Sequence, residues 1–134
     1  MAREIILDNE YASLWFHTDE KIVEHKIKKF IFGDKFRNML LMGTETMRKY
    51  KGKKWLSDDR HIPVLLKEDL EWGNSEWISK TIKVGWRYWA VLQPEDAFGK
   101  LNIDEQIRRF SSKGIITQYF LNREEALDWL KTQK

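Results

Sequence analysis

The segment over residues 86–92, Trp-Arg-Tyr-Trp-Ala-Val-Leu, is almost continuously apolar and stops at Gln93-Pro94. A strand that is apolar on both faces is typical of a sheet that helices cover on both sides. Sheets of this kind are built from strands that alternate with helices, because parallel neighbours need a long crossover connection. The segment therefore predicts an α/β fold with a buried central strand.

The spacing of apolar residues divides the chain into two parts. Before residue 30, three short segments with strand character are separated by the polar turns 8–10 and 18–20, which is typical of an antiparallel meander. From Gly33 onward, helical spacing alternates with short apolar strands, which implies parallel crossovers. The later elements are predicted, in chain order, as a helix over 34–51, a strand over 53–57, a helix over 67–84, a strand over 86–92, a helix over 104–111, a strand over 115–120 and a helix over 123–131. The predicted fold class is α/β, with a mixed sheet of about five to six strands and helices packed on it.

Two residues of these predicted helices carry more specific expectations. Gly43 lies inside the first helix, where glycine costs about 1 kcal/mol relative to alanine. We therefore expect Gly43 to mark a close contact between the helix and the sheet. Asn122 followed by Glu125 resembles a capping box and predicts that the last helix begins directly after Asn122.

The composition is that of one globular domain spanning residues 1–134. Hydrophobic residues make up 42% of the chain and charged residues 34%, which does not fit a disordered protein. The net charge is only +3, and basic residues are interleaved with acidic ones, so no basic face indicates a nucleic-acid partner. The absence of cysteine excludes disulfides, thiolate catalysis and cysteine-based zinc sites.

The sequence contains no signal for membrane insertion or export. No apolar run reaches the roughly 18 residues that span a bilayer, and the N-terminus lacks the apolar core of a signal peptide. The seven glycines are scattered singly, so there is no glycine-rich phosphate loop. We expect a cytoplasmic protein without a metal, a cofactor, a nucleic-acid partner or a membrane span.

Polar residues follow the strand predicted over 53–57. Asp58, Asp59 and Arg60 come directly after it, and Gln93 follows the next strand. In open α/β sheets, ligands bind where the carboxyl ends of parallel strands meet. Arg60 would hold a carboxylate or a phosphate through its planar fork. The alternative is a solvated loop, in which Asp58 caps a turn and Arg60 pairs with a neighbouring acid.

Seven tryptophans are many for a chain of this length. Trp72 and Trp77 lie on the second predicted helix, and Trp86 and Trp89 flank and enter the following strand. These rings either line an apolar groove or pack in the core. The predicted ligand-binding residues are Asp58, Asp59, Arg60, Trp72, Trp77, Trp89 and Gln93.

The three histidines suggest further alternatives. His17 and His25 fall on neighbouring strands of the predicted meander and are expected either to face each other, as two ligands of a metal site without a third, or to lie at the surface. His61 follows Ser57 closely, but the chain lacks the glycine elbow of serine hydrolases. An enzyme would instead use the strand-end cluster of Asp58, Asp59, Arg60 and His61.

Three strings of this sequence, together with the element order, resemble an uncharacterised group of small bacterial proteins in the STAS/SpoIIAA-like family. The strings are Lys54-Trp55-Leu56-Ser57-Asp58-Asp59-Arg60, Gly85-Trp86-Arg87-Tyr88-Trp89-Ala90 and Glu124-Glu125-Ala126-Leu127-Asp128-Trp129-Leu130. The resemblance implies a SpoIIAA-like topology over nearly the whole chain. It also implies a link to the lipid-binding CRAL-TRIO lineage, whose groove lies between helices and a sheet face.

The resemblance further implies a regulatory module rather than an enzyme. In the anti-sigma-factor antagonists of this family, a serine or threonine in an Asp-Ser-Ser-Gly pattern is phosphorylated and controls partner binding. Ser57 lies at the matching position, but no glycine follows it and the two adjacent acids would repel a phosphate. The function that we expect is the binding of a partner protein or a small apolar ligand, with a homodimer left open. The alternative is a small enzyme that uses the strand-end cluster.

Overall fold

The computed structural model describes residues 3–61, 65–96 and 103–134. Its strands are β1 (Arg3–Asp8), β2 (Ala12–His17), β3 (Ile22–Ile27), β4 (Lys54–Asp58), β5 (Tyr88–Leu92) and β6 (Ile116–Phe120). Its helical elements are α1 (Gly33–Tyr50), α2 (Lys67–Trp72), a π-helical turn (Gly73–Trp77), α3 (Ile78–Lys83), α4 (Ile103–Ser111) and α5 (Arg123–Thr132). The order of strands and helices is the predicted one.

The six strands form one mixed sheet in the order β1-β2-β3-β4-β5-β6. β1, β2 and β3 are antiparallel neighbours joined by short turns, whereas β3, β4, β5 and β6 are parallel and joined through helices. This division follows from connection length, since two-residue to four-residue turns can only reverse a strand while a helix returns the chain to the same end. The predicted α/β fold with a mixed sheet and packed helices is confirmed.

The sheet is covered on both faces. On one face, which we call the α1 face, Trp55 of β4 packs in a large core with α1, the π turn, α3 and Phe110 of α4. On the other, the α5 face, Leu56 of β4 packs in a smaller core with Leu127 and its neighbours on α5. Successive residues of β4 therefore alternate between two different environments, as the pleat requires.

Four tryptophans form the centre of the large core. The ring of Trp55 is fully buried and lies 5.1 Å from that of Trp77 and 5.8 Å from that of Trp86. Trp86 lies 4.9 Å from both Trp77 and Trp89. Edge-on and tilted pairs at such distances are the arrangements that aromatic rings prefer. The cluster joins β4 and β5 to the helical elements above them.

Gly43 of α1 lies directly against this cluster. A Cβ atom at this position would overlap the ring of Trp55, with Cζ2 and Cζ3 only 2.9 Å away. The predicted close contact between the first helix and the sheet is therefore confirmed. The Asn122 cap is confirmed as well, since its Oδ1 accepts a hydrogen bond from the backbone N–H of Glu125 at 3.0 Å.

The second predicted helix, over 67–84, is one continuous helical segment that contains an unpredicted π turn. We call α2, the π turn and α3 together the 67–83 segment. π turns inside α-helices are rare and occur frequently at functional sites. The π turn begins at Gly73, which has helical dihedral angles, and a Cβ built there would meet no atom within 4 Å. Packing in the described structure therefore gives no reason for a glycine at this position.

Two strand boundaries differ from the predicted ones. Asp58 is the last residue of β4 rather than the start of a loop. The predicted strand includes Trp86, but the backbone N–H of Trp86 donates to the carbonyl of Thr81 at 3.1 Å, which makes this residue part of the turn after α3. Gly85 allows this turn because its φ is +118°. The apolar run begins before the strand because the side chain of Trp86 enters the core from the preceding turn.

We predict that Gly43→Ala destabilises the protein by about 1–3 kcal/mol, because the new methyl group forces the Trp55 ring out of its place. Gly73→Ala is the matched control, since its methyl group meets open space and alanine stabilises a helix by about 0.5–1 kcal/mol over glycine. Urea unfolding of both variants measures the two effects. Equal stability of Gly43→Ala and the wild type would contradict the close contact.

Candidate functional site

A cavity of about 130 Å³ lies on the α1 face, between the sheet, α1 and the 67–83 segment. Most of its wall is apolar and is formed by Ile27, Phe36, Leu40, Leu65, Leu70, Trp77 and Trp89. Its polar groups are His25, Ser57, Asp59, Asp69 and Asn74, and the wall is completed by Gly73. The cavity thus borders both ends of the π turn.

The polar end of the cavity is held by a chain of three side chains that starts at Trp55. The indole N–H of Trp55 donates to Nδ1 of His25 at 3.0 Å, and Nε2 of His25 lies 2.9 Å from Oδ1 of Asp59. Because Nδ1 accepts a hydrogen bond, the proton of the neutral ring is on Nε2 and is donated to Asp59. His25 is thereby fixed in orientation, and it positions the Asp59 carboxylate at the cavity.

Ser57 lies beside this chain, in register with His25 on the neighbouring strand. Its side chain has no exposed surface, and its Oγ accepts a hydrogen bond from the indole N–H of Trp89 at 2.8 Å. A hydroxyl with no exposed surface cannot reach a kinase active site unless the sheet opens locally. Ser57 of this protein is thus placed as a wall of the cavity.

Ser57, His25 and Asp59 resemble a catalytic triad in composition but differ from one in their hydrogen bonds. In a triad, the histidine accepts the serine proton on one nitrogen and donates to the acid from the other. Here the accepting nitrogen of His25 is already bound to Trp55, and the donating nitrogen is bound to Asp59. No lone pair of His25 is left to activate Ser57.

Asp69 of α2 joins two of the helices that surround the cavity. Its side chain is buried and accepts hydrogen bonds from the backbone N–H of Gly33 at 2.9 Å and from Nε of Arg37 at 3.0 Å. These bonds attach the beginning of α1 to α2. The sequence alone did not single out Asp69, because a charged residue in the first turn of a helix is common.

Asp58 and Arg60, two of the predicted site residues, lie away from the cavity. Nε and Nη2 of Arg60 donate to the two carboxylate oxygens of Asp58, each at 2.9 Å, and Asp58 is on the α5 side of β4. Burial raises the pKa of Asp58, but the hydrogen bonds from Arg60 outweigh it and lower the pKa below its ordinary value. The fork of Arg60 is therefore occupied within the loop, as in the alternative considered above.

The remaining predicted residues are divided between the cavity and other places. Asp59, Trp77 and Trp89 line the cavity. Trp72 instead packs under the guanidinium group of Arg37, and Gln93 continues the pairing of β5 with β6 through its backbone. His61 is exposed. The four residues of the proposed catalytic cluster thus do not converge, since Asp58 and Asp59 point to opposite faces of the sheet.

The expectation that His17 and His25 face each other or lie at the surface is wrong. His25 pairs with Leu14 in the register of β2 and β3 and points to the α1 face, whereas His17 points to the α5 face. Both rings are buried. Among the residues that the structure describes, no group of three or more metal-ligating side chains comes together.

His17 belongs to a cluster on the α5 face whose centre is the buried Glu24. The carboxylate accepts hydrogen bonds from Arg123 at 2.7 and 2.9 Å and from Arg3 at 3.0 Å, and Nε2 of His17 lies 2.7 Å away. Burial raises the pKa of Glu24, but the bonds from Arg123 and His17 and the charges of Arg123 and Arg3 outweigh it and lower the pKa to about 2. The cluster ties α5 to the antiparallel strands.

Comparison with known proteins defines the fold. The chain aligns with the crystal structure of an uncharacterised protein of the DUF3478 family with a SpoIIAA-like fold from Shewanella loihica PV-4, over 96% of this chain and 92% of that one, with a TM-score of 0.55. The fold is SpoIIAA-like. The two sequences are 14% identical, so the similarity shows the fold alone. No protein-family model and no curated protein matches the sequence.

The SpoIIAA-like fold confirms the topology that the resemblance implied. Within the described ranges, no helix of this SpoIIAA-like domain is long and apolar enough to cross a membrane. The cavity and the Glu24 cluster use opposite faces of the SpoIIAA-like sheet. They can therefore be tested separately by substitutions.

We predict that acid destabilises the protein through Glu24. Its pKa in the folded state, about 2, is below its ordinary value of 4.5, so its contribution is complete above pH 4.5 and is lost as the pH falls toward 2. The loss is on the order of 3 kcal/mol. Urea unfolding at several pH values should show a shallower dependence for Glu24→Gln than for the wild type. The exposed Glu4 provides the control Glu4→Gln, and an identical pH dependence in both variants would contradict the role of the cluster.

Proposed function

We propose that this protein is a non-enzymatic module that binds a small apolar ligand in the cavity on the α1 face. The cavity itself is the observation that carries the proposal. The cavity opens to solvent at Leu70 and Asp59, which are partly exposed, and is closed at its inner wall by the buried Trp77 and Ile27. An apolar cavity of about 150 Å³ is known to stay dry and to bind benzene. At about 130 Å³, this cavity has room for a ligand of similar size.

The composition of the wall supports the same proposal. Small-molecule sites are mostly apolar and contain a few polar groups that fix the orientation of the ligand. Here Trp77, Trp89 and Phe36 provide aromatic surface, and three of the polar groups lie together, since His25 is in register with Ser57 and hydrogen-bonded to Asp59. A ligand would therefore bind with one defined polar end.

The π turn also supports a ligand at this place. Gly73 and Asn74 of the turn line the cavity. A glycine inside a helix is unfavourable by about 1 kcal/mol relative to alanine, and no neighbouring atom excludes a methyl group at Gly73. An open cavity wall is a reason to keep this position free of a side chain.

A protein partner is the second candidate, because apolar side chains are exposed near the cavity. Leu70, which is 50% exposed, lines the cavity, and Leu66 and Phe32 lie at the beginnings of α2 and α1 and are exposed as well. A regulatory role follows if the ligand stabilises the 67–83 segment and thereby changes this surface. Cytoplasmic location and a homodimer stay predictions of the sequence.

Binding of toluene, an apolar probe of suitable size, tests the proposal. We predict that toluene raises the melting temperature and shifts the indole N–H signals of Trp77 and Trp89 in NMR spectra, because both rings line the cavity. The indole signal of Trp129, which contacts Tyr88 and Phe120 on the α5 face, should stay in place. Unchanged signals of Trp77 and Trp89 at saturating toluene would contradict the proposal.

Two matched truncations locate the binding site. Leu40→Ala and Leu127→Ala remove equally buried leucines from the α1 face and the α5 face, and each should cost about 2–5 kcal/mol. Only Leu40→Ala enlarges the cavity, so only this variant should gain affinity for naphthalene, a larger probe. Equal gains in both variants would mean that the probe binds wherever a void is made.

A further inference from the structure

We propose that the ligand is a small apolar amine whose ammonium group is bound by Asp59 while its apolar part fills the cavity. This inference rests on the proposed function, because it assigns the chemistry of a ligand in the same site. Five observations support it: the charges in the wall, the hydrogen bonds of His25, the effect of Asp59 on Tyr119, the position of Asp59 and the aromatic rings.

The charges in the wall favour a cation. Among the described residues that line the cavity, two are acidic, Asp59 and Asp69, and none is a lysine or an arginine. Asp69 is neutralised by Arg37 at 3.0 Å and is bound by the N–H of Gly33. Asp59 is thus the carboxylate that faces the cavity and that has no arginine or lysine partner within residues 3–61, 65–96 and 103–134. An anionic ligand would be repelled by it.

His25 does not neutralise Asp59. A doubly protonated ring would carry a hydrogen on Nδ1, where the indole N–H of Trp55 already points at 3.0 Å. The hydrogen bond from Trp55 leaves Nδ1 without a hydrogen, so His25 meets Asp59 through the single N–H of Nε2.

The charge of Asp59 is felt on the neighbouring strand. Burial raises the pKa of Tyr119 of β6, and the negative charge of Asp59 adds to this effect. Together they outweigh the opposite effect of Arg109 and raise the pKa of Tyr119 to about 12. The Asp59 carboxylate therefore lies close enough to β6 for its charge to act on Tyr119.

The position of Asp59 suits a charged group with an apolar tail. Its side chain is 26% exposed, whereas Trp77 and Ile27 at the inner wall are almost completely buried. An ammonium group at Asp59 would keep part of its hydration, which lowers the cost of burying its charge. The tail would then extend along the apolar wall. The volume of the cavity limits the tail to about one six-membered ring.

Aromatic rings add a second attraction for a cation. Trp77 and Trp89 line the cavity, and their π faces attract ammonium groups within about 6 Å. An ammonium group can also donate hydrogen bonds to the Asp59 carboxylate. A neutral apolar molecule contacts the same rings but makes no such hydrogen bond.

The test compares three probes that share one ring, namely benzylamine, toluene and benzoate, at pH 7 by calorimetry and NMR. We expect the wild type to bind benzylamine at least about tenfold more tightly than toluene, since charge-assisted hydrogen bonds are the strong ones. Benzoate should bind most weakly. Asp59→Asn should remove the preference for benzylamine and keep toluene binding, because asparagine can still accept the hydrogen bond of His25.

Asp128→Asn is the matched control. Asp128 is exposed on α5, so this substitution changes the net charge equally and should leave all three affinities unchanged. Equal binding of benzylamine and toluene by the wild type, or an Asp59→Asn variant that keeps the preference, would overturn the amine proposal and leave the proposed function standing. Failure of both probes to bind would overturn the proposed function as well.

Discussion

The indole of Trp55 is the group on which the fold and the candidate site both depend. Its ring occupies the space that a side chain at position 43 would need, so it sets how closely α1 approaches the sheet. The same ring packs edge-on against Trp77 of the π turn. Its N–H donates a hydrogen bond to His25, which in turn is hydrogen-bonded to Asp59. Trp55 therefore both sets the position of α1 and orients His25.

The pleat of β4 separates two acids that are adjacent in sequence. Asp58 points to the α5 face, where Arg60 neutralises it with two hydrogen bonds. Asp59 follows the last residue of the strand and points to the α1 face, where its partner among the described side chains is His25. The two carboxylates thus have different partners because successive side chains of an extended strand point to opposite faces of the sheet. A site made of both acids is not compatible with an extended backbone at this point.

Local patterns in the sequence were sufficient for the fold and insufficient for the site. The apolar run over 86–92, the glycine at position 43 and the cap at Asn122 each act within a few residues or through one close contact. The close contact and the cap are confirmed, and the run forms a buried strand that begins at Tyr88 rather than at Trp86. The Glu24 cluster instead joins residues that are 99 positions apart. The π turn depends on how the helix packs, and the burial of both histidines depends on partners from other strands. Periodicity carries no information about such partners.

The cavity is maintained by rigid groups rather than by chance packing. On one side, Trp77 is held by its ring contacts with Trp55 and Trp86 and by a hydrogen bond from its N–H to Thr44 of α1. On the other side, Asp69 fixes α2 to the beginning of α1. The gap between these two attachments is where the π turn widens the helix and where Gly73 adds no side chain. Because these attachments are made without a ligand, the ligand proposed above would not have to order the site, and more of the contact energy would be available as affinity.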